Sequence, residues 1–102
     1  MEKEFLVKIH KIYRWVVAIC DKELGGLKIE EGNKQLDLSG NFFKGEPKSA
    51  DELKEIIRDS LSEDSTFNII GKKSCQLCKE IGLIEETGIK TIDDIPYALI
   101  LL

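Results

Sequence analysis

Along the first fifth of the chain, apolar and polar positions alternate. In "EFLVKIHKI", Phe5, Val7 and Ile9 fall on one side and Leu6, Lys8 and His10 on the other. A period of two predicts a β-strand. "YRWVVAIC", Tyr13 to Cys20, is aromatic and β-branched and predicts a second strand, with Val16–Cys20 apolar on both faces and so central in a sheet. "DKELGG" ends it, because Gly25 and Gly26 permit turns. "KQLDLS", Lys34 to Ser39, alternates again through Leu36 and Leu38, and "GNFFKGEP" reads as a loop.

The period then changes. Ser49 and Glu52 have the Ser-x-x-Glu spacing of a capping box just after Pro47, and Leu53, Ile56, Ile57 and Leu61 recur at helical intervals. Lys54, Glu55, Arg58 and Asp59 supply the solvated side of that helix. Phe67, Ile69 and Ile70 are expected to plug the core from a loop or short strand. After Gly71, Cys75, Leu77, Cys78 and Ile81 recur three and four apart, which predicts a second helix. Gly82 stands where a left-handed C-terminal cap is usually glycine, with Leu83 placed to pack back on Cys78. "GIKTI" and "YALILL" finish the chain as strands joined through Asp93, Asp94 and Pro96. The order of strands, helices and strands predicts an α+β fold: a mostly antiparallel sheet with two helices packed on it, in a single two-layer domain spanning residues 1–102.

Composition agrees with one globular domain. The chain has 102 residues, 42% hydrophobic and 33% charged. Net charge is −4, which gives no general field for nucleic acid. The charge is uneven, however. Residues 1–50 carry nine Lys/Arg against eight Asp/Glu, and residues 51–102 six against eleven. Any basic contact surface therefore comes from the first half. No apolar run approaches the roughly 20 residues of a membrane helix, and no targeting segment is recognisable, so a cytoplasmic protein without membrane partners is expected. An odd cysteine count of three argues for reduced thiols.

Three places invite a chemical reading. The first is the Cys-x-x-Cys spacing of Cys75 and Cys78. A zinc site needs four ligands, and one pair with a distant Cys20 and His10 does not supply them in any recognised spacing. A redox pair would sit at a helix N-terminus, whereas these cysteines begin about one turn inside the predicted helix. Core packing is the favoured reading, with metal or redox use as the alternative, and no cofactor is expected. The second place is "NIIGKKS". It lacks the upstream glycine of a phosphate loop, but helix-start amides with Asn68, Gly71 and Lys72, together with Asp21, form a candidate anion or small-molecule loop. The third is the N-terminal segment. Lys8, His10, Lys11, Tyr13 and Arg14 place basic and aromatic side chains within a few positions of one another, a pattern suited to phosphates and stacked bases. Its plainer alternative is a charge-guarded edge strand with Trp15 in the core.

The pieces "AICDKELGGLKIEEGNKQLDLSGNFFKGE", "NIIGKKS", "EIGLI" and "IPYA", in that order and spacing, resemble the archaeal family called domain of unknown function 424 over roughly residues 14–98. Asp21, Glu23, Leu24, Gly26, Gly32, Asn68, Gly71, Gly82 and Pro96 match that family's pattern. A His-Ala pair usually follows the proline there; this chain has Tyr97-Ala98. The pattern does not require Cys75 or Cys78. The resemblance implies an archaeal cytosolic protein and carries no activity with it. No catalytic constellation emerges, so the leading expectation is a non-enzymatic binding module with RNA or a protein of the translation apparatus as partner. The alternatives are a small-molecule or anion-binding protein or small enzyme using the Asn68-Gly71-Lys72 loop, and a thiol redox or metal protein using Cys75 and Cys78.

Overall fold

In the computed structural model, which describes residues 2–101, the N-terminal alternation becomes β1 (Phe5–Lys11), and a hairpin turns it into β2 (Trp15–Asp21). Tyr13 was expected inside the second strand. It lies instead in the connecting loop, residues 12–14, because the hairpin closes at the Lys11–Trp15 pair. A 3-10 turn, Lys22–Leu24, leads to β3 (Lys28–Glu31) and β4 (Lys34–Asp37), which form a small separate hairpin. β3 was not anticipated. Its signal is the Gly32-Asn33 pair between two short polar-apolar runs, with Gly32 at φ +61°.

The expected loop "GNFFKGEP" contains a 3-10 turn, Asn41–Phe43, and a short edge strand, β5 (Glu46–Lys48). Pro47 suits an edge, where a missing N–H costs no ladder bond. The helix α1 (Ala50–Leu61) starts with the full capping box: the Glu52 amide donates to Ser49 Oγ and the Ser49 amide to Glu52 Oε1. Leu53 and Ile57 are fully buried, each worth about 1.5–3 kcal/mol of transfer free energy. Leu61 departs from the expected stripe and is exposed, while Ser60 takes the buried position beside it.

β6 (Thr66–Ile70) follows and runs parallel to β2, and α2 (Lys72–Glu80) leaves its end at Gly71. The C-terminus of α2 is a Schellman motif. Leu83 N donates to the Cys78 carbonyl and Gly82 N to that of Lys79, with Gly82 at φ +82°. Ile81, expected on the buried stripe, is exposed at the helix end, and Leu83 packs against the core in its place. β7 (Lys90–Ile92) and β8 (Ile95–Ile100) form the last hairpin. Its turn residues Asp93 and Asp94 both have positive φ, as a type I′ turn requires.

The main sheet has the order β5-β1-β2-β6-β8-β7, and β2–β6 is its one parallel pair among the described residues. The α+β expectation, a mostly antiparallel sheet carrying two helices, holds. One face packs Phe5, Val7, Val17, Ile19, Phe67 and Ile69 against α1 and α2. The opposite face carries a second cluster, in which Leu6, Ala18, Cys20 and Ile70 meet Ile29, Leu36 and Leu38 of the β3–β4 segment and Phe43. That hairpin is a partial cover on the far side of the sheet.

Candidate functional site

Two polar regions lie at opposite ends of this sheet. At the end of β2, Asp21 is 3% exposed and reaches the start of α2. Its carboxylate accepts from the amides of Lys73 (3.0 Å) and Ser74 (2.8 Å) and from Ser74 Oγ (2.7 Å). The helix has no side-chain cap of its own, because Gly71 occupies the N-cap position. Asp21 supplies that cap from across the sheet, where the helix dipole favours negative charge. Gly71 is what lets it approach: its φ is +117°, and a Cβ there would lie 2.5 and 2.7 Å from the two Asp21 oxygens. The amide of Gly71 donates to the Pro96 carbonyl, holding the turn against β8.

The candidate anion loop is thus spread over three environments. Gly71 is buried against Asp21, so an internal carboxylate engages the amides of Lys73 and Ser74. Lys72 is exposed and lines a shallow groove with Cys75, Gln76 and Lys79. Asn68 points elsewhere, as the sheet register shows below. Ser74, absent from the sequence reading, donates to Asp21 as a nucleophile would to its base, yet both residues are buried and that carboxylate already holds two amides. This is the chemistry of a brace.

The thiols are deeply placed. Cys20, Cys75 and Cys78 are free and buried. Burial pushes Cys75 up to about 11 and Cys78 and Cys20 up to about 12, with nearby negative charge adding to the effect. Such thiols are protonated at neutral pH, and Cys78 lies in the core cluster with Leu53, Ile57 and Phe67. Among the described residues no three His, Cys, Asp or Glu side chains gather where they could hold a metal ion.

The other polar region was drawn together by strand register. Lys8 pairs with Ala18, Ala18 with Asn68, and Asn68 with Leu99, so these four residues form one row across β1, β2, β6 and β8 on the face opposite the helices. In the next row His10 pairs with Val16 and Val16 with Thr66. The β3–β4 cover buries Cys20 and Ile70 one row earlier and reaches Ala18 in the middle of this row; Lys8, His10, Val16, Thr66 and Asn68 are only half-buried and Leu99 is exposed. Residues as far apart in sequence as Lys8 and Asn68 therefore share one open surface.

Phe42 forms its wall. The ring stacks on His10 with centroids 4.6 Å apart and planes 16° from parallel, and His10 Nε2 donates to the Phe42 carbonyl at 3.0 Å. That bond places the imidazole proton on Nε2. Phe42 remains 41% exposed although its ring also meets Phe43 edge-on. It was not singled out in the sequence, where "NFF" between glycines looks like any loop. Beyond the open rows is the hairpin tip. Tyr13 is fully exposed there, Lys11 and Arg14 flank it, and Lys11 Nζ lies 4.8 Å from the centroid of the Trp15 ring. Trp15 is half-buried beneath that lysine rather than in the core.

Comparison with known proteins places the fold. The chain is similar to the crystal structure of an uncharacterized conserved protein from Methanopyrus kandleri, with a TM-score of 0.83 at 24% identity over 94% of this chain and 89% of that one. At that identity the likeness is one of fold. No curated protein matches. No helix among the described residues is long and apolar enough to cross a membrane. A family model described as a protein of unknown function matches residues 10–102, nearly the whole length over which these strands, helices and turns are laid out, and the chain belongs to that family, DUF424.

Proposed function

We propose that this protein is a non-enzymatic binding module that takes single-stranded RNA on the uncovered half of its sheet, with the translation apparatus as its setting. One observation carries the reading: the register sets Lys8 and His10 on β1 and Asn68 two strands away on β6 on one sheet face at the margin of the β3–β4 cover, walled by an exposed Phe42 stacked on His10. A sheet face that carries Lys8, His10 and Asn68 with an aromatic ring at its border suits unpaired bases. The ring offers a stacking surface, a carboxamide reads a base edge, and lysines meet phosphates. The Asn68 side chain has no hydrogen-bond partner among the described residues, so its donor and acceptor are free for that role. Tyr13 and Arg14 lie next beyond these rows at the hairpin tip, whereas Lys11, paired with Trp15, stands on the opposite face of the sheet.

The test is titration of uridine and adenosine decamers by fluorescence anisotropy across a salt series. Contacts to three or four phosphates give a log–log salt slope of about −2 to −3 on a single strand. Phe42→Ala is expected to weaken binding about tenfold, within the roughly 1–3 kcal/mol that one stacked base contributes. Lys8→Glu should also weaken it and leave the circular dichroism spectrum unchanged. Absence of binding at low salt, or binding indifferent to these changes, refutes the reading.

A further inference from the structure

One edge of the sheet is only half paired. β1 runs from Phe5 to Lys11, but its outer neighbour β5 pairs only with Phe5–Val7. The direction of the remaining main-chain groups follows from the ladder. Lys22 N donates to the Glu4 carbonyl on the β2 side. Even-numbered residues of β1 therefore face β2, and odd-numbered ones face outward. Phe5 and Val7 meet β5, and at Gly45 the chain comes so close that a Cβ would collide with the Val7 carbonyl. Ile9 and Lys11 follow, and their outward N–H and C=O groups have no partner among the described residues. Beside them is an open groove of about 650 Å³. Val7, Ile9 and Ile56 give it an apolar floor, and its walls carry Lys8, Lys44 and Lys48 against a single carboxylate, Glu46.

The geometry points to an extended acidic peptide segment as the occupant of this groove, added to β1 in line with β5. Its main chain bonds Ile9 and Lys11, its alternate apolar side chains rest on Ile9 and Ile56, and its carboxylates meet the lysines. Two arguments select this partner. Unpaired ladder groups at an edge are matched by another main chain. The charge around them then chooses its sign. Lys48 already has Glu46 at 3.4 Å, whereas Lys8 and Lys44 have no ion-pair partner among the described residues. A second copy of this same edge would set lysine against lysine, which is unfavourable across a strand pair. The site lies on the edge of β1 and shares Lys8 with the His10–Phe42 surface assigned to RNA.

The probe is a blocked hexapeptide of alternating Glu and Val, titrated into uniformly 15N-labelled protein, with alternating Lys and Val as the control. The expected result is saturable shifts centred on the amides of Ile9, Lys11 and Lys44 to Glu46. Exchange of the Ile9 and Lys11 amides should slow at least fivefold, and the Lys-Val peptide should leave them unchanged. Lys44→Glu with Lys48→Glu, both outside the strip used for RNA, should weaken the acidic peptide at least tenfold while the spectrum remains that of the folded protein. Shifts with no slowing of those two amides, equal binding of the basic peptide, or indifference to the double change would overturn the inference. A uridine decamer that slows the same two amides would also overturn it, by giving the edge to nucleic acid. RNA binding that fails while the peptide binds leaves the inference standing on its own.

Discussion

Replacing Gly71 by alanine should be among the most damaging single changes available to this fold. Two costs add. The backbone at φ +117° and ψ 156° lies where essentially only glycine is found, and an L-residue there costs about 1–3 kcal/mol. The new methyl would also sit 2.5 and 2.7 Å from the Asp21 carboxylate oxygens, well inside contact distance, so the carboxylate must move. That carboxylate holds three hydrogen bonds at the start of α2. Losing one bond to a buried charged group costs about 1.5–3 kcal/mol. The sum is about 2.5–6 kcal/mol against a total stability of about 5–15 for a domain. At roughly 4–8 °C per kcal/mol for a chain near this size, the melting temperature should fall by about 10–50 °C. Urea unfolding followed by circular dichroism gives the free energy, and a double-mutant cycle with Asp21→Ala separates the two costs. Without the carboxylate to displace, Gly71→Ala should lose only the backbone share, leaving a coupling of about 2 kcal/mol between the positions. A loss below about 1 kcal/mol, or strict additivity with Asp21→Ala, would refute the account of this turn.

Ser60→Ala should stabilise the protein by about 1 kcal/mol in the same urea assay, since Ser60 Oγ is buried in α1 with no hydrogen-bond partner among the described residues and alanine is the better helix former; destabilisation would mean the hydroxyl has a partner. All three thiols should resist a disulfide reagent at pH 8 in the folded protein and react at once in denaturant, because burial holds them protonated with values near 11 or 12; one fast-reacting cysteine in the native state would contradict this. The Lys3 ammonium and the Ser49 amide hold the Glu52 carboxyl down at about 2, from an ordinary 4.5. A depressed carboxylate stabilises the fold above its unfolded value and loses that contribution as pH falls from 4.5 through 2, so Glu52→Gln should flatten the acid limb of the stability curve in that window; an unchanged limb would show that the capping box carries no pH dependence.

Local rules made much of this molecule readable. The Ser49–Glu52 box, the Gly82 cap and the β1 alternation are contacts between near neighbours in sequence, and each formed as its spacing implies. Gly71 is instructive in a different way. Its place in "NIIGKKS" made it part of a candidate anion loop, but what its backbone accommodates is a side chain fifty residues upstream. No periodicity links Asp21 to Ser74, and so the helix-start amides looked available for an external anion while the chain already supplied its own. Leu61 and Ile81 fitted their helical stripes yet lie exposed, because each stands in the last turn, where the sheet no longer reaches them. Phe42 was overlooked for the opposite reason: an aromatic in a loop has no periodicity to be read, and its stacking partner lies on another element.

The same register that makes the open surface also explains why it stays open. Each face of the sheet must be covered where its side chains are apolar and left wet where they are not. Leu6, Cys20 and Ile70 are apolar, so burying them under β3 and β4 is favourable. One row on, Lys8 and Asn68 flank Ala18, and after that His10 and Thr66 flank Val16. Covering those rows would strip water from an ammonium, a carboxamide and an imidazole without supplying partners, at several kcal/mol in total. The hairpin therefore stops where it does for energetic reasons, and the border between covered and open surface runs through the Lys8–Ala18–Asn68 row. The border can be moved by substitution. With leucine at both Lys8 and Asn68 the second row would be apolar from β1 to β8 through Ala18 and Leu99, and the open surface would become the kind of exposed patch that drives self-association.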